Sequence, residues 1–396
     1  MESVCKHIKR LQATLLLVSV FALGFVAGNI DNIVQAQTRG MGDLNQAFGV
    51  VEEAFSIIQS RYVDSRELEV PALIDGALNG MVESLGDQFS GYLDSNAYNR
   101  FNSDLTGDVE GIGVVIDTIE ETMQIRVVSL IKGAAAATAG VLPGDIFWEV
   151  NGESVVGFDQ NELASIVRGP AGTDVTIMFR RGEEFITFTI TRVRFQVPNV
   201  EFEVLEGNLA YISLSEFNSR SSSLIQQALT DVDVNSREGL IFDLRNNPGG
   251  LLTSVVDVSS LFVQDGVILY ETFGDGTEQI FEANGNYFGI SVPIVVLVNE
   301  GSASASELFA GAVKDRGVAT LIGETTFGKG TVQTIQPLSN GGAIRITIAR
   351  WLTPNRNWIH DFGIAPDIEV PYDAATDGID ADPQLDRAIE YINSLN

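Results

Sequence analysis

The chain has 396 residues, 45% of them hydrophobic, which is enough for two or three packed domains and too apolar for a disordered chain. Twenty-four basic against 53 acidic residues leave a net charge of −29, which repels phosphate backbones and argues against nucleic acid as a partner. With one cysteine, Cys5, and two histidines, His7 and His360, thiol catalysis, a disulfide framework and a Cys/His zinc site are nearly excluded.

Lys6, Lys9 and Arg10 precede an uncharged run over residues 11–30, the pattern of an export leader. The run predicts an exported, extracytoplasmic protein of the periplasm or cell envelope. Either the leader is cleaved, with Val34-Gln35-Ala36 as one cleavage site, or it stays as a membrane anchor. Residues 44–106 form the next region. Phe48, Val51, Phe55 and Ile58 recur at spacings of three and four, as do Ile74, Leu78, Met81 and Leu85, predicting two amphipathic helices that pack or make a homodimer.

The period changes over residues 107–194. Strands are expected after Gly111 and over 125–131, 146–150, 174–179 and 185–192, with a helix near 162–167. Glu110-Gly111-Ile112-Gly113-Val114 and the later Ala139-Gly140-Val141-Leu142-Pro143-Gly144-Asp145 resemble a PDZ domain. In that resemblance the amides around Gly111, Ile112, Gly113 and Val114 form a nest for a terminal carboxylate, and the strand that follows offers an edge to an extended peptide.

Residues 195–396 alternate between strand and helix. Strands are predicted at 209–214, 239–244, 293–298, 319–322 and 343–348, and helices at 221–229, 251–262, 304–314 and 383–395. The expected fold is therefore α/β (α+β) and multidomain: helical segment, PDZ-like β-rich domain and α/β core.

Two stretches of this core carry chemistry. Ser302, Ser304 and Ser306 stand at a predicted helix start, where Ser304-x-x-Glu307 also reads as a capping box. The Gly323 to Lys329 stretch imitates a phosphate loop, but Gly330 stands where a magnesium-binding Ser or Thr is needed, and a strand-like stretch follows. A lysine among Phe327, Gly328 and Gly330 instead has the apolar setting that a neutral general base requires. A histidine triad could draw only on His360, so lysine is the expected base of a serine enzyme. Gln333, four residues on, is expected on the same strand face as Lys329. The amide of Ala305 would be an orphan donor for an oxyanion, and the Gly249-Gly250 turn could supply a second.

The segments LIFDLRNNPGGLL, VNEGSASASELFAGAVKD, GETTFGKGTVQ and GIAPDIEV, in that order after a PDZ-like domain, resemble the carboxyl-terminal processing proteases. These are serine peptidases with a Ser/Lys dyad. The resemblance implies Ser304 as nucleophile, Lys329 as base, Gln333 in support, and oxyanion donors at Ala305 and at Gly249 or Gly250. It also implies polypeptide substrates with accessible C-termini, no cofactor or metal, and a PDZ domain that recruits substrate and gates the site, with Arg168 a candidate coupling contact. The Leu85 to Ser90 segment departs from the family pattern; it is expected to lie in the helical segment, and the departure puts no catalytic role in doubt.

Overall fold

A run such as Ile294-Val295-Val296-Leu297-Val298 has no polar face to turn to water, and in the computed structural model it is a strand buried on both sides. The structure describes residues 48–106, 108–119, 122–131, 133–372 and 381–395. The leader over residues 1–30 and the cleavage site at 34–36 lie outside them. The chain divides into two compact units, Met1–Leu78 and Asn79–Asn396. In the first, residues 48–61 are helical (α1) and a second helix, α2 (Val70–Glu83), begins. Phe48, Val51, Ile58 and Ile74 are exposed on them. No helix among the described residues is long and apolar enough to cross a membrane.

The second unit starts with a strand absent from the sequence reading. After α2 a turn leads into β1 (Gly91–Leu93) and then α3 (Ser95–Thr106). The Leu85 to Ser90 segment is thus not helical.

A five-stranded antiparallel array follows in the PDZ-like part: β3 (Val114–Ile119), β4 (Gln124–Leu130), β5 (Ile146–Val150), β7 (Asp174–Arg181) and β8 (Glu184–Thr191), with the short β6 (Glu153–Ser154) beside β5. Helices α4 (Ala135–Ala139) and α5 (Gln160–Val167) close its core, where Ile125, Val127, Phe147, Leu163 and Phe179 are buried together. Strands β2 (Asp108–Gly111) and β9 (Val193–Gln196) pair at its base. β3 is an edge strand, hydrogen-bonded to β4 alone.

The core is a six-stranded sheet in the order β10-β11-β12-β15-β16-β19. It comprises β10 (Val200–Leu205), β11 (Leu209–Leu214), β12 (Gly239–Asp243), β15 (Ile294–Val298), β16 (Thr320–Gly323) and β19 (Ile368–Glu369). From β11 onward the strands are parallel. Alternate residues face opposite layers, as the period of two requires. Leu240, Phe242 and Val296 pack against α6 (Ser221–Asp231), α7 (Leu252–Phe262) and α8 (Ala305–Asp315); Ile241, Val295 and Leu297 pack with Ala388 and Ile392 of α9 (Pro383–Leu395). The loops that leave β12, β15 and β16 all emerge at one edge of the sheet, the usual place for a site in an open parallel sheet. A second, antiparallel sheet runs β1-β18-β13-β14, with β17 (Thr331–Pro337) on the other side of β18 (Ala343–Leu352); β13 is Val267–Phe273 and β14 Glu278–Glu282.

Phe309 of α8 lies at the centre of the core, with ring centroids of Phe242 and Phe262 each 5.0 Å away. Phe309→Ala is expected to cost about 3–5 kcal/mol, read as a lower urea midpoint of unfolding. Leu395→Ala, at an exposed position of α9, should stay within about 0.5 kcal/mol of the parent.

Candidate active site

The chain leaves β15 at Val298 and must reverse before α8 can pack on the sheet. Ser304 makes the last step of that reversal with φ 55° and ψ −112°, a conformation that L side chains rarely adopt. Such strain costs of order 1–3 kcal/mol and persists only where the surroundings over-determine it. Here they do. Ser302 donates its hydroxyl to the Leu244 carbonyl at 2.8 Å and accepts from the Asn299 amide at 3.0 Å. Ser306 donates to the Asn247 carbonyl at 2.9 Å, and the Ala303 amide donates to the same oxygen at 3.0 Å. Ser302 and Ser306 are fully buried, whereas Ser304 between them keeps some exposure. The three serines that look alike in sequence are therefore two anchors and one accessible hydroxyl.

Glu307 ties this turn to the lysine loop. Its carboxylate has no solvent exposure and accepts four hydrogen bonds. One oxygen takes the Ser304 amide at 2.8 Å and the Lys329 amide at 2.9 Å; the other takes the Thr326 hydroxyl at 2.6 Å and the Gly328 amide at 2.7 Å. Ser304 and Glu307 do stand in capping-box geometry. The glutamate does more than cap, because three of its four donors come from the loop after β16.

That loop, residues 324–330, is held on its far side as well. Trp351 Nε1 donates to the Lys329 carbonyl and Trp358 Nε1 to the Gly330 carbonyl, both at 2.8 Å, while the Asp361 amide donates to the Gly328 carbonyl at 2.9 Å. The Lys329 ammonium nitrogen lies 5.2 Å from the centre of the Phe89 ring. Burial, helped by the positive charge of Arg345, pushes the Lys329 pKa below the ordinary lysine value, against the opposing fields of Glu307 and Asp87. Among the described residues no carboxylate forms an ion pair with it. His360, the single histidine available for a triad, accepts from the Gly330 amide at 3.3 Å and stacks on Trp358, so it buttresses the lysine loop.

Gln333 donates through Nε2 to the hydroxyls of Thr331 at 3.0 Å and Thr347 at 3.1 Å. The expectation that strand alternation aligns it with Lys329 does not hold as stated. Lys329 precedes β17, so the alternation of that strand does not extend to it. Beside Gln333, Thr347 also donates its amide to Ser90, whose hydroxyl donates to Asp87 at 2.6 Å. Burial alone would raise the Asp87 carboxyl, but hydrogen bonds from Ser90, Thr347 and the Phe89 amide together hold it below the usual carboxylate range. The segment expected to be helical thus lies beside Lys329 and Gln333, because β1 pairs with β18.

The loop after β12 faces Ser304 from the other side. Asn247 is fully buried; its side chain donates to the Leu214 carbonyl at 2.7 Å and accepts the Gly249 amide at 2.9 Å. A Cβ on Gly249, where φ is +105°, would fall 2.8 Å from both the Ser304 Cβ and the Ala305 nitrogen. Only glycine lets this turn approach the serine so closely. Gly250 is bridged to Phe217 by bonds that use the Gly249 carbonyl and the Leu251 amide, leaving its own amide out of that pairing.

In the PDZ-like part, Gly111, Ile112, Gly113 and Val114 line one end of a groove of about 250 Å³ between β3 and α5, with Ile116, Leu163 and Val167 along it. Arg168 ends α5 and lies against Gly111, where its Cγ would be 3.7 Å from a side chain at that position.

Sequence reasoning missed Phe89 and Asp87 as neighbours of Lys329, since nothing local announces a contact across more than 200 positions, and it missed Arg345, which reaches the lysine through the pairing of β17 with β18. It saw Glu307 as a cap alone; its spacing from Ser304 was the signal, but the second set of donors was not visible.

Comparison with known proteins places these features in a family context. A model of peptidase family S41 matches residues 208–370, a model of the N-terminal domain of the activating protease CtpB matches 26–97, and a PDZ model matches 126–181. Carboxy-terminal processing protease CtpA of Bacillus subtilis (strain 168) is 35% identical over 362 residues, covering 90% of this chain and 76% of that protein. CtpB of the same organism is 35% identical over 350 residues, covering 85% and 70%. The solved structure of a photosystem II D1 C-terminal processing protease is 29% identical, with a TM-score of 0.50 over 81% of this chain and 92% of that one.

Two variants test the geometry. Glu307→Gln replaces one acceptor oxygen with a donor facing amides, and should lower peptidase kcat by at least about a hundredfold, the cost typical of a slight misplacement of reacting groups. Asp87→Asn removes a charge that raises the Lys329 pKa. The neutral amine then appears at lower pH, so the acid limb of the kcat/KM profile should move to lower pH.

Proposed function

Because the chain belongs to the carboxy-terminal processing serine proteases of peptidase family S41, we propose that Ser304 and Lys329 form its catalytic dyad. Neutral Lys329 takes the Ser304 Oγ proton as the oxygen attacks a peptide carbonyl, and returns that proton to the leaving amine. An acyl-enzyme on Ser304 remains, and a water deprotonated by the same lysine releases it.

One observation carries the assignment. The Ser304 and Lys329 amides donate to the same Glu307 oxygen, at 2.8 and 2.9 Å, so the two residues are held side by side by one atom. The depressed lysine pKa supports the role of base. Gln333 uses both threonine bonds through Nε2, which leaves its carbonyl oxygen to orient the lysine amine without charging it. For the oxyanion, the Ala305 amide at the start of α8 is one donor. The Gly249 amide is already bonded to Asn247, so the Gly250 amide is the second.

The substrate is a polypeptide with an accessible C-terminus. Its carboxylate meets the amides around Gly111 to Val114, its apolar side chains enter the groove toward Leu163 and Val167, and its backbone extends along the open edge of β3. Arg168, which lines this groove beside Gly111, is the candidate for coupling occupancy to activity. We further assign the protein to the cell envelope, with residues 11–30 as signal or anchor. The exposed Phe48, Val51, Ile58 and Ile74 support a homodimer contact in the first unit.

Incubation with casein tests the dyad. Ser304→Ala and Lys329→Ala should each lose at least about a thousandfold in kcat, as removal of one member of a catalytic unit does. Undiminished cleavage by either variant overturns the assignment. Absence of cleavage by the parent protein would instead favour a peptide-binding scaffold.

A further inference from the structure

Arg345 is a cation that the dyad does not need as an acid or base. It lies on β18, opposite Ile335 of β17 on one side and Gly91 of β1 on the other. It is two residues from Thr347 and therefore on the same pleat face, the face on which Thr347 meets Gln333. It is close enough to Lys329 for its charge to act on the amine.

Several arginines of this acidic chain have acidic or aromatic partners: Arg181 with Asp145, Arg245 with Asp243 and Asp382, Arg356 with Glu278, and Arg350 over Trp358. Among the described residues Arg345 has no such partner. Its Nε is buried without an acceptor, and among the described residues its guanidinium makes no hydrogen bond or ion pair. The nearby Asp87 directs its oxygens to Ser90 and the Phe89 amide. On the β1 side the guanidinium lies over position 91, which is glycine and offers it no polar side chain; a Cβ there would be in ordinary van der Waals contact with Nη2, at 3.8 Å.

An unpaired, half-buried guanidinium beside a reacting centre has a fixed fork of donors that matches a carboxylate. Resting on the assignment of Ser304 and Lys329 as the reacting pair, we propose that Arg345 binds a carboxylate of the substrate segment lying across the active site. That carboxylate is either the free C-terminus of a short leaving segment or the side chain of an Asp or Glu near the scissile bond. The site is separate from the carboxylate nest of the PDZ-like part, so the enzyme would read negative charge twice, once for recruitment and once where the bond is cut.

The test uses the full-length chain and peptides that copy a site it has been seen to cleave in casein. Failure of the dyad would thus appear in the casein comparison, and failure of the Arg345 assignment in this one. One matched pair ends a few residues beyond the scissile bond, as free acid or amide. A second pair is longer, amidated, and carries Glu or Gln at that distance. KM and kcat are measured for the parent, Arg345→Gln and Arg345→Lys, with thermal melting to confirm folding.

The parent should prefer the charged member of at least one pair by about five- to tenfold, as expected of a partly solvated charge-assisted contact. The preference should reside in KM. Arg345→Gln should lose that part of it which Arg345 supplies, and Arg345→Lys should retain some. A response confined to the acid/amide pair identifies the chain terminus as the source, and one confined to the Glu/Gln pair identifies a side chain. Charged-to-neutral ratios that are the same in the parent and in Arg345→Gln for both pairs overturn the proposal, whether or not kcat falls.

Discussion

A carboxylate placed where no water reaches it must be surrounded by donors, or the fold loses several kcal/mol. Glu307 meets that requirement with donors from two separate loops, the turn before α8 and the loop after β16. Satisfying the buried acid and bringing the Ser304 turn beside the Lys329 loop are therefore the same event. The strained backbone of Ser304 is held in the same way, since the residues on either side of it are tied to Leu244 and Asn247.

The parallel sheet makes this convergence possible. β12, β15 and β16 end at one edge, so the Gly249-Gly250 turn, the serine turn and the lysine loop emerge next to one another. The antiparallel sheet then supplies what the parallel one lacks. Trp351 of β18 and Trp358 beyond it fix the lysine loop from behind, and β1 brings Phe89 over the amine. A ring distant in sequence thus stands over the Lys329 amine, while burial and Arg345 push its pKa down against the opposing fields of Glu307 and Asp87.

Much of this was legible in the chain because it is written locally. The run before Asn299 is apolar throughout and is β15; the final amphipathic stretch is α9 over the predicted residues; the Ser304-x-x-Glu307 spacing marks the start of α8. Family resemblance, and not spacing, singled out Ser304 among three serines. What stayed hidden depends on pairing across the chain. β1 is three residues long and has no alternation to reveal it, so the placement of Asp87 and Phe89 could not be read. The bond by which Asn247 takes up the Gly249 amide and the bond by which Thr347 holds Gln333 are set by side-chain geometry in the folded chain. Neither leaves a pattern in the sequence.

The central claim is that neutral Lys329 activates Ser304. A fluorophosphonate reagent, whose reaction with the serine can be followed by mass spectrometry of the modified peptide, reports that activation without any contribution from substrate recruitment. The rate of modification should rise with pH through an apparent pKa below the 10.5 of an ordinary lysine, and should lose that dependence in Lys329→Ala. Modification of Ser304 at the parent rate and with the parent pH profile in Lys329→Ala would contradict it.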